Sequence, residues 1–198
     1  MTFYKIKQNP IVNFMKLHYN NVKHKPKITI EKTYMNTQTT TLLNKIRQTL
    51  ETNPSNITFG KINSAAYKID NNIIAPEYSE FLRVSNGIRC GITELFSAEY
   101  IKKNQYTAEH IDGGKELWFC IGQVLYQPLL INLQNHNVYL FYNSYFYDDR
   151  TENSYRNLGK FDDFLTDFIF GTRYSELIPD IKIEYDKWYI FLKEIHLI

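Results

Sequence analysis

Four consecutive residues, Trp118-Phe119-Cys120-Ile121, leave no polar position in alternation. Successive side chains of an extended chain point to opposite faces, so a strand built from these residues is apolar on both. Such a strand fits only the middle of a sheet that is covered on both sides. Two further apolar stretches follow, residues 125–133 and 138–142. They enclose Gln134-Asn135-His136-Asn137, the polar filling of a β-hairpin loop.

The second strong signal is residues 75–91, APEYSEFLRVSNGIRCG. Pro76 suits a first helical position, where its missing N–H is no loss. Glu77 and Glu80 lie in the first turn, where the helix dipole favours negative charge. Tyr78, Phe81 and Leu82 are three and four apart and form one apolar face. Arg83 falls in the last turn. Asn86 and Gly87 are expected to stop the helix, with Gly87 in the left-handed conformation.

Residues 40–52 read as a helix with Leu42, Leu43, Ile46 and Leu50 on one face, ended by Asn53-Pro54-Ser55. Residues 57–74 are ambiguous between helix and strand. Residues 92–96 read as a strand, with Ser97 capping a short helix at Glu99-Tyr100-Ile101. Residues 102–114 read as a loop that turns at Asp112-Gly113-Gly114. Residues 148–157 read as a polar loop. A helix over residues 162–170 turns Phe164, Leu165, Phe168 and Ile169 inward and ends at Gly171. The tail opens as an alternating strand, residues 181–185, then gives a helical face of Trp188, Phe191, Leu192 and Ile195. No repeat is present. The expected fold is α+β, a mainly antiparallel sheet with helices packed against it. Residues 1–39 form a basic N-terminal extension, with Lys27-Ile28-Thr29-Ile30 in the pattern of an edge strand, and residues 40–198 form the α+β domain, tail included.

Composition narrows the chemistry. Of 198 residues, 43% are apolar and 22% charged, values of a globular chain. Lys, Asn, Ile, Tyr and Phe supply 88 of the residues and Ala only 5, which points to an AT-rich genome. The many Tyr and Asn residues thus need no functional cause. No apolar run reaches a membrane span and no signal peptide is recognisable, so a cytoplasmic protein is expected. Cys90 and Cys120 form no C-x-x-C and read as buried free thiols. Residues 1–75 carry a net charge of +8, residues 76–171 carry −5 and residues 172–198 carry −1.

The usual catalytic patterns do not occur. His18, His24, His110, His136 and His196 show no metal-ligand spacing. There is no G-x-S-x-G, and Gly113-Gly114-Lys115 lacks the rest of a phosphate loop. No cofactor and no enzymatic activity are expected. Lys16, Lys23, His24, Lys25, Lys27 and Lys32, interleaved with Tyr19 and Tyr34, read as a solvated basic segment rather than a nucleic-acid site.

Taken together, the motifs form an ordered set. P-x-Y-x-x-F-L-x-x-S-N-G at residues 76–87 is followed by W-x-x-I-G at 118–122. A hairpin ending V-Y-x-F comes next, then an F-x-x-F-L helix closed by Gly171. This order resembles the SUKH superfamily, which contains bacterial immunity proteins and the fungal cell-wall-synthesis regulator; the resemblance covers about residues 40–174. Two places depart from the family: Tyr126-Gln127-Pro128 stands where a Gly-Asp-type turn is usual, and residues 57–74 poorly match its acidic helix. The resemblance implies a non-enzymatic protein that binds and neutralises a cognate toxin domain, often a nuclease. A regulatory protein–protein interaction scaffold is the alternative. An acidic surface would compete for the basic site of a nuclease. The candidate partner-binding residues are Asp148, Asp149 and Glu152 with Tyr145 and Tyr147, and then Glu99, Glu109 and Asp112.

Overall fold

The computed structural model describes residues 35–70, 72–142, 154–177, 179 and 182–198. The basic extension up to residue 34 lies outside them. So does most of the loop that holds Tyr145, Tyr147, Asp148, Asp149 and Glu152. The fold is α+β, and seven strands form one antiparallel sheet in chain order. They are β1 (Gly60–Ile62), β2 (Ile88–Cys90), β3 (Thr93–Leu95), β4 (Trp118–Val124), β5 (Gln127–Asn132), β6 (Asn137–Phe141) and β7 (Tyr155–Lys160). Each strand pairs with its neighbours in sequence, so the chain returns each time to the adjacent position in the sheet.

The main core lies on one face of this sheet. Helix α1 (Thr37–Glu51) brings Leu43, Ile46 and Leu50 to it. Its start is fixed by Asn36, whose side chain accepts the Gln38 N–H at 2.9 Å. Helix α2 (Pro76–Leu82) buries Tyr78, Phe81 and Leu82, the apolar face expected from its spacing, and Pro76 holds the expected first helical position. Phe161, Phe164, Leu165, Phe168 and Ile169 come from one α-turn, Phe161–Asp163, continued by a π-helical stretch, Phe164–Ile169. The last helix of the chain, Lys187–Glu194, adds Trp188, Phe191 and Leu192, and the Trp188 indole N–H donates to the Ile169 carbonyl at 2.9 Å.

Strand β4 is buried on both faces, as its lack of alternation requires. Phe119 and Ile121 face the main core. Trp118 and Cys120 face a second cluster with Leu130, Phe141, Ala108 and Ile111. Trp118 meets neither the Pro76 helix nor the Phe164 helix. Strand geometry sends it to the opposite face, edge-on to Tyr139 at 5.3 Å and Phe141 at 4.9 Å.

Several expectations are corrected. Helix α2 stops at Leu82, with Arg83 as its C-cap, so Gly87 does not end it. Gly87, at φ +81°, instead turns the chain into β2. A Cβ there would stand 2.7 Å from the Leu95 carbonyl oxygen, so backbone proximity as well as conformation demands glycine. The ambiguous residues 57–74 begin at the end of a 3₁₀ turn, Pro54–Thr58, and hold β1, with the described remainder irregular. Part of the expected polar loop, from Tyr155 on, is strand β7, which buries Leu158 as its single large apolar residue. Within residues 181–185, Ile183–Tyr185 is a 3₁₀ turn rather than a strand. Where the Gly-Asp turn was missing, Leu125 takes φ +55° at the tip of the β4–β5 hairpin.

Removing the Trp118 side chain deletes the centre of the second cluster and the hydrogen bond from its indole N–H to the Asp112 carbonyl, 2.9 Å. Trp118→Ala is expected to cost about 3–5 kcal/mol in denaturant unfolding. A midpoint close to that of the wild type would show that the second cluster contributes little.

Candidate functional site

Because β4 needs cover on its second face, the chain between β3 and β4 folds back over it. Three short helices do this: α3 (Ala98–Ile101), α4 (Tyr106–Glu109) and α5 (Gly114–Leu117). A 3₁₀ turn, Lys102–Asn104, joins the first two. Where a loop was expected over residues 102–114, these turns bury Ala108 and Ile111 against Trp118 and Cys120. The Asp112-Gly113-Gly114 turn is present as expected, with φ of +92° and +54° at the glycines.

Two side-chain amides hold this cover in place. Asn86, expected to stop α2, in fact starts α3. Its Oδ1 accepts the Ala98 N–H at 2.8 Å, and its Nδ2 donates to the Glu99 carboxylate at 3.1 and 3.2 Å. Ser97, the expected cap, occupies the N-cap position but makes no capping hydrogen bond there. Gln105 acts as a neighbouring strand would. Its Oε1 accepts the Cys120 N–H at 3.0 Å and its Nε2 donates to the Cys120 carbonyl at 2.7 Å. The same Nε2 reaches the Ile101 carbonyl at 2.9 Å, tying α3 to β4.

The outer surface of the cover carries three of the predicted site residues. Glu99, Glu109 and Asp112 are all exposed there. Glu109 is paired with Lys115, whose ammonium holds its carboxyl below the usual range. Asp112 sits at the turn whose carbonyl receives the Trp118 indole. Beside them stand Tyr100 and Tyr106, 62% and 60% exposed, which sequence reasoning missed as contact residues. No local signal marks them, because the face of each short helix that the sheet claims is set by the fold. Asp148, Asp149, Glu152, Tyr145 and Tyr147 lie outside the described residues.

Among the described residues both cysteines, His110 and His136 are tied up in structure. Burial pushes the Cys120 thiol up to about 12 and Cys90 well above its ordinary value, so neither supplies a thiolate near neutral pH. His136 Nδ1 lies 2.6 Å from Glu77 Oε1 and joins the β5–β6 hairpin to α2. His110 Nδ1 donates to the Tyr106 carbonyl at 2.6 Å. Among the described residues no group of three or more His, Cys, Asp or Glu side chains is placed to hold a metal ion, and no helix is long and apolar enough to cross a membrane.

Compared with known protein families the chain matches no family profile, and no curated protein is significantly similar to it.

The arrangement makes Gln105 the fastening of the surface. Gln105→Ala leaves the N–H and the carbonyl of Cys120 without their side-chain partner, and unmade buried hydrogen bonds cost about 1–3 kcal/mol each. A loss of about 2 kcal/mol or more in urea unfolding is expected. A loss below about half a kcal/mol, the usual effect of a surface substitution, would mean that the cover is not anchored there.

Proposed function

We propose that this chain is a non-enzymatic, cytoplasmic immunity protein of SUKH type, which neutralises a cognate toxin domain by stoichiometric binding. The ordered motifs over residues 40–174 support the family assignment. One observation carries the binding reading: Tyr100 and Tyr106 stand exposed beside Glu99, Glu109 and Asp112 on a segment anchored to the sheet. Tyrosine supplies large contact area at low entropic cost and is enriched where proteins bind one another. The carboxylates around it speed encounter with a basic partner, while Lys102, Lys103 and Lys115, exposed on the same cover, make its charge mixed. A nuclease toxin, whose active site must attract phosphate, is such a partner. In this reading the acidic loop with Asp148, Asp149 and Glu152, flanked by Tyr145 and Tyr147, belongs to the same recognition chemistry.

The test is rescue of growth. Co-expression with the toxic product of a neighbouring reading frame should restore growth, and the purified pair should bind with Kd on the order of nanomolar, roughly −12 kcal/mol. Tyr100→Ala with Tyr106→Ala should weaken the complex by about a hundredfold or more while the fold survives, because both rings lie on the surface. Replacing His110, His136 or His196 by Gln should leave rescue intact. Full rescue by the folded double-tyrosine variant would remove α3 and α4 from the interface. Loss of rescue in a folded histidine variant would argue for catalysis.

A further inference from the structure

The chain between β1 and α2 runs back along α2 before entering it. It is fastened at the C-terminal end of the helix, where the Ala66 N–H donates to the Leu82 carbonyl at 2.9 Å and the Asn86 N–H to the Ser64 carbonyl at 2.7 Å. It then rejoins the helix at its N-terminus through Ala75. Between this strap and α2 lies an open cleft of about 510 Å³. Its strap wall holds Ile69, Asp70 and Ile73, and Tyr67 stands fully exposed at its rim. Its helix wall holds Ser79 and Arg83, four residues apart and therefore on one face.

The polar groups in the cleft are of opposite charge. Among the described residues Arg83 is engaged only through Nε, which donates to Glu80 at 3.3 Å. The two Nη groups of its planar fork remain for a carboxylate. Asp70 Oδ1 accepts the Asn72 N–H at 3.0 Å, the carboxylate is also within reach of the Asn72 side chain, and the group is exposed to the cleft. The backbone hydrogen bond from Asn72 is the main cause holding its carboxyl below the usual range, the Asn72 side chain adds to it, and Lys102 and Lys68 add less, so the group is an anion at neutral pH. A ligand bearing only an anion would meet Asp70, and one bearing only a cation would meet Arg83. A ligand carrying both, with an apolar body, satisfies both walls and the isoleucines.

We propose that this cleft binds a zwitterionic amino acid or short peptide with an apolar side chain. The carboxylate lies on the Arg83 fork and the Ser79 hydroxyl, the ammonium on Asp70, and the side chain against Ile69 and Ile73. The cleft is open to solvent and its lining is mostly polar, and exposed charge pairs keep the affinity modest. This site is separate from the tyrosine surface and does not rest on the immunity reading.

Nuclear magnetic resonance titration of the full chain tests it, with L-leucine and leucyl-leucine as the two probes. One or both should give saturable shifts confined to residues around 66–73, 79 and 83, with Kd of about 1 mM or tighter. N-acetyl-leucine and leucinamide, each lacking one charge, should bind at least about tenfold more weakly, a difference of about 1.4 kcal/mol. Asp70→Asn, which keeps the Oδ1 acceptor for Asn72, and Arg83→Gln should each reduce binding to the same degree. Binding of leucine identifies a free amino acid as the ligand, and binding of the dipeptide alone identifies a peptide. The proposal is overturned if neither probe gives a saturable shift at about 20 mM, well above the expected Kd. It is equally overturned if a single-charge control binds as well as its parent, or if both variants bind unchanged.

Discussion

A strand with two apolar faces sets the terms for the rest of this molecule. From Trp118 to Val124 only Gln123 is not buried. Leaving either face to water would expose several large side chains, each of which gains about 1.5–3 kcal/mol from burial. The main core answers for Phe119 and Ile121. The other face has no long helix to cover it, so three helices of four residues each are laid across Trp118 and Cys120. Segments that short have little stability of their own. They hold their shape because the sheet holds them, and their outward residues are thereby presented in a fixed arrangement.

Polar side chains supply that hold wherever the backbone is irregular. Arg47 on α1 gathers the carbonyls of Asn63 and Val84 at 2.8 Å and that of Ile62 at 3.3 Å. It thus joins the end of β1 to the end of α2. Ser85 donates to Asn63 and Gly87 in the same turn. Asn86 and Gln105 do the corresponding work for the second face. Each of these groups meets backbone atoms that helix or sheet would otherwise have satisfied, and leaving such atoms unpaired costs more than the bond itself contributes. The candidate surface is therefore coupled to the sheet through two amides, not through its own apolar contacts alone.

The parts that could be read in advance were those where one signal dominated. Pro76 and the Tyr78, Phe81, Leu82 spacing gave α2, and the unbroken apolar run gave β4. The polar loop at residues 134–137 gave the β5–β6 hairpin. Illegible parts were those decided by distant partners. Strand β7, Tyr-Arg-Asn-Leu-Gly-Lys, has too little apolar content to declare itself and exists because β6 offers it an edge. The alternation at residues 181–185 suggested a strand, yet no sheet edge is paired with Ile183–Tyr185. The role of Gln105 has no local signal, since its partner lies fifteen residues away across a packed layer. For the site, charge placement pointed to Glu99, Glu109 and Asp112. The exposure of Tyr100 and Tyr106 follows from which face of each short helix the sheet claims, and that is visible only once the fold is built.

Amide hydrogen exchange under native conditions tests most directly whether the second face is closed by an anchored cover. The Cys120 amide is the sensitive probe, because its hydrogen-bond partner is the Gln105 side chain. If α3–α5 are docked as one unit with the sheet, this amide is protected to the same degree as the β4 amides that bond to β5. Exchange of Cys120 at the rate of an open surface amide, with its β4 neighbours still protected, would contradict the account: the cover would open independently of the sheet, and the surface it carries would not be preformed.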